Sequence, residues 1–278
     1  MRKFRLKPQS VLLHAFLLCF CVLIIYPLLI VLSSSLRPPG NMDSPLLLFN
    51  QFSFASYIRA FEKMQYPKAL LNSILTSGAS VLVIVLFSSM AAYPVSRIKS
   101  KTSRFLYYFF IAGLIVPSQM VVVPVAQMIG RLSIPNNRFT PMIMFITCSL
   151  PFSTFLYAGF MKSVPVEIEE SAYIDGAGLW TRFAWFVLPL LKPATVSVAI
   201  TQGMWIWNDY FYPMIFVTRR DQFSIPVVML QFLGDRENPA QWNILFAACV
   251  LCALPLIAVF AVMQKQFVTG IAAGAVKG

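Results

Sequence analysis

Charge is what this chain has least of. Asp, Glu, Lys and Arg supply 12% of its 278 residues, and only ten residues are acidic. A soluble domain of this length needs a far more polar surface, so a water-soluble globule is excluded. Histidine occurs once, as His14, at the start of the first apolar segment, where an interfacial or packed role suits it better than ligation. No Gly-x-x-x-x-Gly-Lys-Ser/Thr phosphate loop is present, which excludes ATP hydrolysis by this chain alone. His-Glu-x-x-His and Gly-x-Ser-x-Gly are missing as well, so hydrolytic chemistry has no motif to rest on. No catalytic residue, metal ligand or bound cofactor is assigned. The five cysteines, Cys19, Cys21, Cys148, Cys249 and Cys252, all lie in apolar segments. They read as small packing residues. Cys249 and Cys252 share a helix face but lack the polar partners of a metal or redox pair.

Hydrophobic residues are abundant instead, at 58%, with a mean hydropathy of +0.73. The chain reads as all-α and polytopic. A span needs about 20 apolar residues to cross about 30 Å of hydrocarbon. Six stretches qualify: 11–32, 70–93, 105–129, 139–161, 193–217 and 243–264. The first follows Arg2, Lys3, Arg5 and Lys7, but it is longer than the apolar core of a signal peptide and reads as an uncleaved anchor, with cleavage near Ser33-Ser34-Ser35 as the alternative. The net charge of +12 comes from 22 Lys and Arg scattered over short loops. That pattern fits positive-inside topology rather than nucleic-acid binding. Arg97, Lys99, Lys101 and Arg104 between spans two and three fall on the same side as the basic N-terminus, which places both on the cytoplasmic face. The expected organisation is a cytoplasmic N-terminus at 1–10, a six-span domain at 11–264 and a cytoplasmic tail at 265–278. The connection 162–192 is then cytoplasmic, and 33–69, 130–138 and 218–242 lie outside. Pro27, Pro117, Pro124, Pro151, Pro213 and Pro255 fall inside spans and kink them, as suits a bundle around a cavity.

One segment breaks the apolar pattern. Glu167, Glu169, Glu170 and Asp175 place four of the ten acids within nine positions. Ser163 is a candidate N-cap for a helix opening at Val164-Pro165, and the acids near its start match the helix dipole. Val164, Ile168 and Ala172 form an apolar stripe. Gly176 and Gly178 end the helix, and a second helical stretch runs from Trp180 to Leu188. A helix lying on lipid is usually basic on its polar face. This one is acidic, which points to a soluble protein partner.

The segment resembles the signature cytoplasmic loop of permease subunits of bacterial ATP-binding-cassette (ABC) importers: Glu-Ala-Ala, three residues, Gly, nine residues, Ile-x-Leu-Pro. Glu170, Ala172, Gly176, Leu188 and Pro189 match at the right spacing. Ser171 replaces the first alanine and Phe186 the isoleucine. Asp175-Gly176-Ala177-Gly178, Leu188 to Pro193, Trp207-Asn208-Asp209-Tyr210 and the tail Phe267 to Gly278 are similar to the carbohydrate branch, in particular the maltose-type second permease. The resemblance implies the type I importer fold and a bacterial inner-membrane location. The implied partners are a homologous second permease, an ATPase homodimer that holds ATP and Mg, and an extracytoplasmic sugar-binding protein. It also implies that Glu169, Glu170, Ser171, Ala172, Asp175, Gly176, Ala177, Leu188 and Pro189 form the joint to the ATPase. Ala172 and Gly176 would allow close approach, while Glu170 and Asp175 would meet cationic or amide donors.

Asp209 is the only acidic or basic residue inside any of the six stretches, and such a residue usually faces a bundle interior. With span five centred near Trp205, it lies about 6 Å from the midplane. Trp205, Asn208, Asp209, Tyr210 and Gln119 are the candidate sugar path, with Gln127 and Gln202 as further lining candidates. The same Asn208 and Asp209 suit hydrogen bonds to the second permease, with the aromatics as an interfacial belt. A proton- or ion-coupled carrier that works without an ATPase is the rival function, with Asp209 as its proton site; it has no need of the acidic loop.

Overall fold

The computed structural model describes residues 8–41, 43–234 and 241–275, with side-chain surroundings for 12–41, 43–234 and 241–262. The basic residues Arg2 to Lys7 and the last three residues of the tail lie outside this set, as do the side chains of Phe267 to Ala275.

The regular elements are helices: α1 (Pro8–Ser35), α2 (Ala55–Lys63), α3 (Tyr66–Arg97), α4 (Lys101–Ile115), α5 (Ser118–Arg131), α6 (Met142–Met161), α7 (Val166–Ile174), α8 (Leu179–Thr181), a π-helical segment Arg182–Val187, α9 (Leu188–Leu190), α10 (Lys192–Asn208), α11 (Phe211–Phe216), α12 (Ile225–Met229) and α13 (Trp242–Ala275). The chain divides into two compact units, Met1–Tyr66 with Met229–Pro255, and Pro67–Val228 with Leu256–Gly278.

In the first unit the segment after α1 is an ordered loop built on Arg37. Its guanidinium donates to the carbonyls of Asp43 at 3.0 Å, Ser44 at 3.1 Å and Leu47, and the residue is 1% exposed. A buried cation without a carboxylate is costly unless its donors are satisfied, and here three backbone oxygens satisfy most of them. Asn243 of α13 donates to the carbonyls of Pro38 and Asn41, both at 3.0 Å. The most apolar stretch of α1 has no residue buried within this chain, the pattern of a helix that meets lipid or another subunit.

The core of the second unit runs along α3, α5, α6 and α10 through Ile84, Val122, Phe145, Tyr157, Val198 and Ile206. Helices in lipid gain little from the hydrophobic effect when they meet, so close packing and interhelical hydrogen bonds hold them. Ser149, Ser153 and Ala158 of α6 and Ala194 of α10 are buried, and the Tyr157 hydroxyl donates to Thr195 Oγ1 at 2.8 Å. A Cβ built at Gly113 would lie 2.8 Å from Pro151 Cγ, so α4 approaches α6 as closely as it does only because residue 113 has no side chain.

Among the described residues, four helices are long and apolar enough to cross a membrane unaided: Leu12–Ser35, Tyr66–Arg97, Met142–Met161 and Trp242–Val262. The stretch 105–129 is instead broken into α4 and α5, which meet at 100°. Val116 and Pro117 are both extended at the break. Pro117 has no N–H to continue the ladder and disfavours helical backbone at Val116. The stretch 193–217 is also interrupted. α10 ends at Asn208, Asp209 is extended, and α11 begins two residues later. At its other end α10 meets Leu179–Leu190 at 74°. Six crossings result if each bent pair counts as one.

Candidate coupling interface

α6 closes with a turn in which Ser163 N–H donates to Phe160 O at 2.9 Å and Val164 N–H to Met161 O at 3.2 Å. The Ser163 hydroxyl also donates to Phe160 O, at 2.6 Å. It therefore finishes α6 and does not cap α7, contrary to the sequence expectation; Pro165 stands at the N-cap with no side-chain bond.

α7 has two faces. Glu169 and Ala172 are buried, while Glu167, Glu170, Ser171, Tyr173, Ile174 and Asp175 are exposed. Glu169 therefore differs from its acidic neighbours. Arg97 Nε donates to its Oε1 at 2.6 Å and the Tyr93 hydroxyl to its Oε2 at 2.7 Å. Arg97 also donates through a terminal nitrogen to Val164 O at 2.8 Å. Both side chains of the ion pair are largely shielded, at 13% and 6% exposure, so its hydrogen bonds act in a low-dielectric setting where charge-assisted bonds are strong. Two helices that are far apart in sequence are thereby fastened together, and the Glu169 carboxylate and the Ala172 methyl face this chain's own interior. The outward acids are Glu167, Glu170 and Asp175.

The helix ends in a Schellman motif. Gly176 N–H donates to Tyr173 O at 3.0 Å and Ala177 N–H to Ala172 O at 2.9 Å, with Gly176 at φ +84°. That conformation favours glycine. Gly178 has φ −70° and needs no such freedom. After the reversal, Phe183 and Val187 turn inward, and Phe183 packs on Tyr93 with ring centres 5.2 Å apart. Arg182 lies over the Tyr173 ring at 5.0 Å, closing the two arms of the hairpin by a cation–π contact. The expected single helix from Trp180 to Leu188 is mostly a π-helical segment. Leu188 is half-buried and Pro189 exposed. Tyr173, Ile174, Trp180 and Trp185 are between 64% and 84% exposed. The surface on offer is thus acidic along α7 and strongly apolar around the turn, a composition suited to a protein interface. Sequence reasoning overlooked Arg97 and Tyr93 as parts of this site, because Arg97 already had an explanation as a topology-setting charge.

The candidate pathway residues do not form one group. Trp205 borders a cavity of about 750 Å³ with Phe109, Val116, Ser118, Cys148 and Gln202, at the break between α4 and α5. Its ring also meets Phe145 edge-on at 5.7 Å and Tyr212 at 6.2 Å. Asp209, Asn208, Tyr210 and Gln119 do not border that cavity. Asp209 Oδ2 accepts from the N–H of Tyr212 at 3.0 Å, which is a cap on α11. The Asn208 amide donates back to Met204 O at 2.7 Å. Tyr210 and Gln119 are exposed. Gln202, by contrast, is buried in the cavity wall.

The chain thus combines apolar helices, two of them in bent pairs, with a loop helix clamped to α3 through Glu169 and a crevice at the α4–α5 break. The same fold occurs in a crystal structure of a bacterial ABC transporter involved in the import of the acidic polysaccharide alginate, with a TM-score of 0.82 and 21% identity over 96% of this chain and 100% of that one. Residues 84–272 match the family described as binding-protein-dependent transport system inner membrane component, and the chain belongs to that family. It is a multi-pass transport component and not an enzyme. Its relatives include the melibiose/raffinose/stachyose import permease protein MelC of Bacillus subtilis, 32% identical over 91% of each chain. The probable starch degradation products transport system permease protein AmyC of Thermoanaerobacterium thermosulfurigenes is 30% identical over 98% of this chain and 99% of its own.

Proposed function

We propose that this chain is a permease subunit of an ABC importer for a sugar or oligosaccharide, of the maltose-type second-permease kind, and that α7 with the turn after it is its joint to a partner ATPase. The observation that carries the reading is the split of α7 into an inner face locked by Glu169 and an outer face bearing Glu170, Ser171, Asp175 and Gly176. A joint that transmits force has to be rigid against its own subunit and complementary to the other. The sugar names carried by the relatives support the substrate class. In this reading ATP and Mg are bound by the ATPase homodimer, a homologous permease completes the pathway, and an extracytoplasmic sugar-binding protein delivers the cargo. The reading takes six spans with both termini in the cytoplasm, the fifth running through α10 and α11 while Leu179–Leu190 stays at the cytoplasmic surface. The crevice at the α4–α5 break, with Trp205 and Gln202 in its wall, is the part of the pathway this chain contributes. An aromatic face and an amide suit sugar rings and hydroxyls.

Glu170→Lys tests the joint. It reverses charge on an exposed residue, so membrane insertion should be normal while uptake is abolished. Normal uptake by that variant refutes the docking role. Recovery of a stable, transporting chain without any ATPase or second permease refutes the importer reading as a whole.

A further inference from the structure

Both ends of α3 are fastened by buried polar side chains, and to different things. Near its start, Asn72 Nδ2 donates to the carbonyls of Asp221 and Phe223, each at 3.0 Å. Ser73 Oγ accepts from Ile225 N–H at 2.8 Å, and Thr76 Oγ1 donates to Arg138 O at 2.9 Å. The N–H of Arg138 donates in turn to Gln222 Oε1 at 3.0 Å, so the loops around 135–140 and 218–225 are held to α3 and to each other. Asn72, Ser73 and Thr76 are each at most 5% exposed. Near its other end, Tyr93 and Arg97 hold the two oxygens of Glu169. Twenty-five residues separate Asn72 from Arg97, about 37 Å of helix at 1.5 Å per residue.

Pro94 lies between the two gripping residues. It cannot donate to the carbonyl of Met90, so the ladder of α3 is weakest there. Tyr93 precedes the weak point, Arg97 follows it, and both bind the same carboxylate. Glu169 therefore splints the one place within α3 where proline interrupts the ladder.

We infer that α3 is a strut that makes the loops at 135–140 and 218–225 follow the position of α7, with Glu169 and Arg97 as positioning residues at one end and Asn72 and Thr76 at the other. The inference rests on the proposed docking of α7 to an ATPase. The physical ground is that each end is tied by buried bonds whose rupture leaves unsatisfied groups. A displacement of α7 is then passed along a helix of fixed length instead of being absorbed at a loose joint.

The test reads the far loop directly and needs no knowledge of the cargo. The complex is purified from native membranes through a tag on this chain, with the five native cysteines replaced by alanine and Thr218→Cys, an exposed position, introduced as reporter. The rate of modification by a charged maleimide is measured without nucleotide and in the ATP–vanadate-trapped state. The strut requires the two rates to differ by roughly two- to thirtyfold, the range of coupling energies carried by single networks. Glu169→Gln and Thr76→Val should each bring the ratio close to one when the rates are read well below the melting temperature of each variant complex, since the broken bonds also cost stability; a protein merely weakened there would keep its ratio at that temperature. Asn72→Ser reads the same end should Thr76→Val fail to assemble. Equal rates in the reference complex, or an unchanged ratio in Thr76→Val, overturn the strut. Glu170→Lys separates the two claims. If it abolishes the response while Thr76→Val does not, docking stands and the strut falls. If Glu170→Lys leaves the response intact while Glu169→Gln and Thr76→Val remove it, docking through Glu170 falls and the strut stands.

Discussion

Replacing Arg97 with methionine should be far more harmful than its nominal loss of one surface-facing cation. The structure gives three reasons. Glu169 is buried and would be left with only the Tyr93 hydroxyl as partner. The Val164 carbonyl at the start of the loop would lose its donor. The weak point at Pro94 would lose half of its splint. Removing one member of a buried pair typically costs about 3–5 kcal/mol; the residual exposure of both side chains argues for the lower end, about 3 kcal/mol. At about 2–4 °C per kcal/mol for a chain of this size, the temperature at which half the purified complex loses its monodisperse gel-filtration peak should fall by roughly 6–12 °C. The companion variant makes the reasoning sharp. Arg97→Met combined with Glu169→Leu removes both charges and leaves the Tyr93 hydroxyl as the principal orphan, at about 1–3 kcal/mol. The double variant should therefore be more stable than Arg97→Met alone, a coupling of about 1 kcal/mol or more. Additive losses, or an Arg97→Met melting point within about 1 °C of the parent, would refute the view that this pair is a buried clamp.

Gly176→Ala should lower stability by about 1–2 kcal/mol, from backbone strain alone, since nothing lies within 4 Å of the added methyl and φ is +84°; Gly178→Ala, at φ −70°, should be neutral, and equal melting points for the two would contradict the assignment of the turn. Gly113→Val should cost about 1–3 kcal/mol or more by driving α4 off Pro151, seen as a drop in melting temperature; an unchanged value would mean the close approach is not maintained. Asp209→Asn retains an oxygen for the Tyr212 N–H and should melt near the parent, whereas Asp209→Ala should lose about 1 kcal/mol. Uptake that collapses in Asp209→Asn at normal stability would show a role beyond capping.

The outline of the fold was legible because its cause is written locally. A long apolar run has few fates in lipid, and a proline such as Pro117 announces its break. Gly176 was legible for the same reason, since a left-handed helix end has a chemical signature. Other features depend on residues far away in the chain and leave no local mark. Glu167, Glu169 and Glu170 look equivalent in sequence, yet about 100° of rotation per residue sends one of them inward, and which one is decided by Arg97, 72 residues earlier. Ser163 carried a helix-start pattern, but the preceding helix offered its carbonyl first. The π-helical turns at Arg182–Val187 have no residue pattern that distinguishes them from the α-helix expected there. Asp209 was read as a pathway or interface residue because a lone carboxylate in an apolar stretch invites a functional explanation; that it ends one helix and caps the next follows only from the backbone.

Scarcity of acid shapes what remains for a partner to recognise. Among the described residues, Asp209 is occupied at the start of α11 and Glu169 inside the clamp, while Asp221 is held by Arg219 through two bonds of 2.9 and 3.1 Å, which keep its carboxyl below the usual carboxylate range. Asp43 accepts from the side-chain amides of Asn41, Asn50 and Gln51, Glu62 is exposed on α2, and Glu167, Glu170 and Asp175 are left together on one exposed helix and its end. On a chain with a net charge of +12, such a cluster sets the local potential against that of the surrounding surface, and complementary charge on a partner gains both rate and register from that contrast. The apolar rim of Tyr173, Ile174, Trp180 and Trp185 supplies contact area that charge alone does not. Affinity then resides chiefly in the rim and orientation in the acids. For that reason reversing the single charge at Glu170 should misregister the proposed joint without unfolding it, whereas breaking the inner bond of its neighbour Glu169 should loosen α7 from α3.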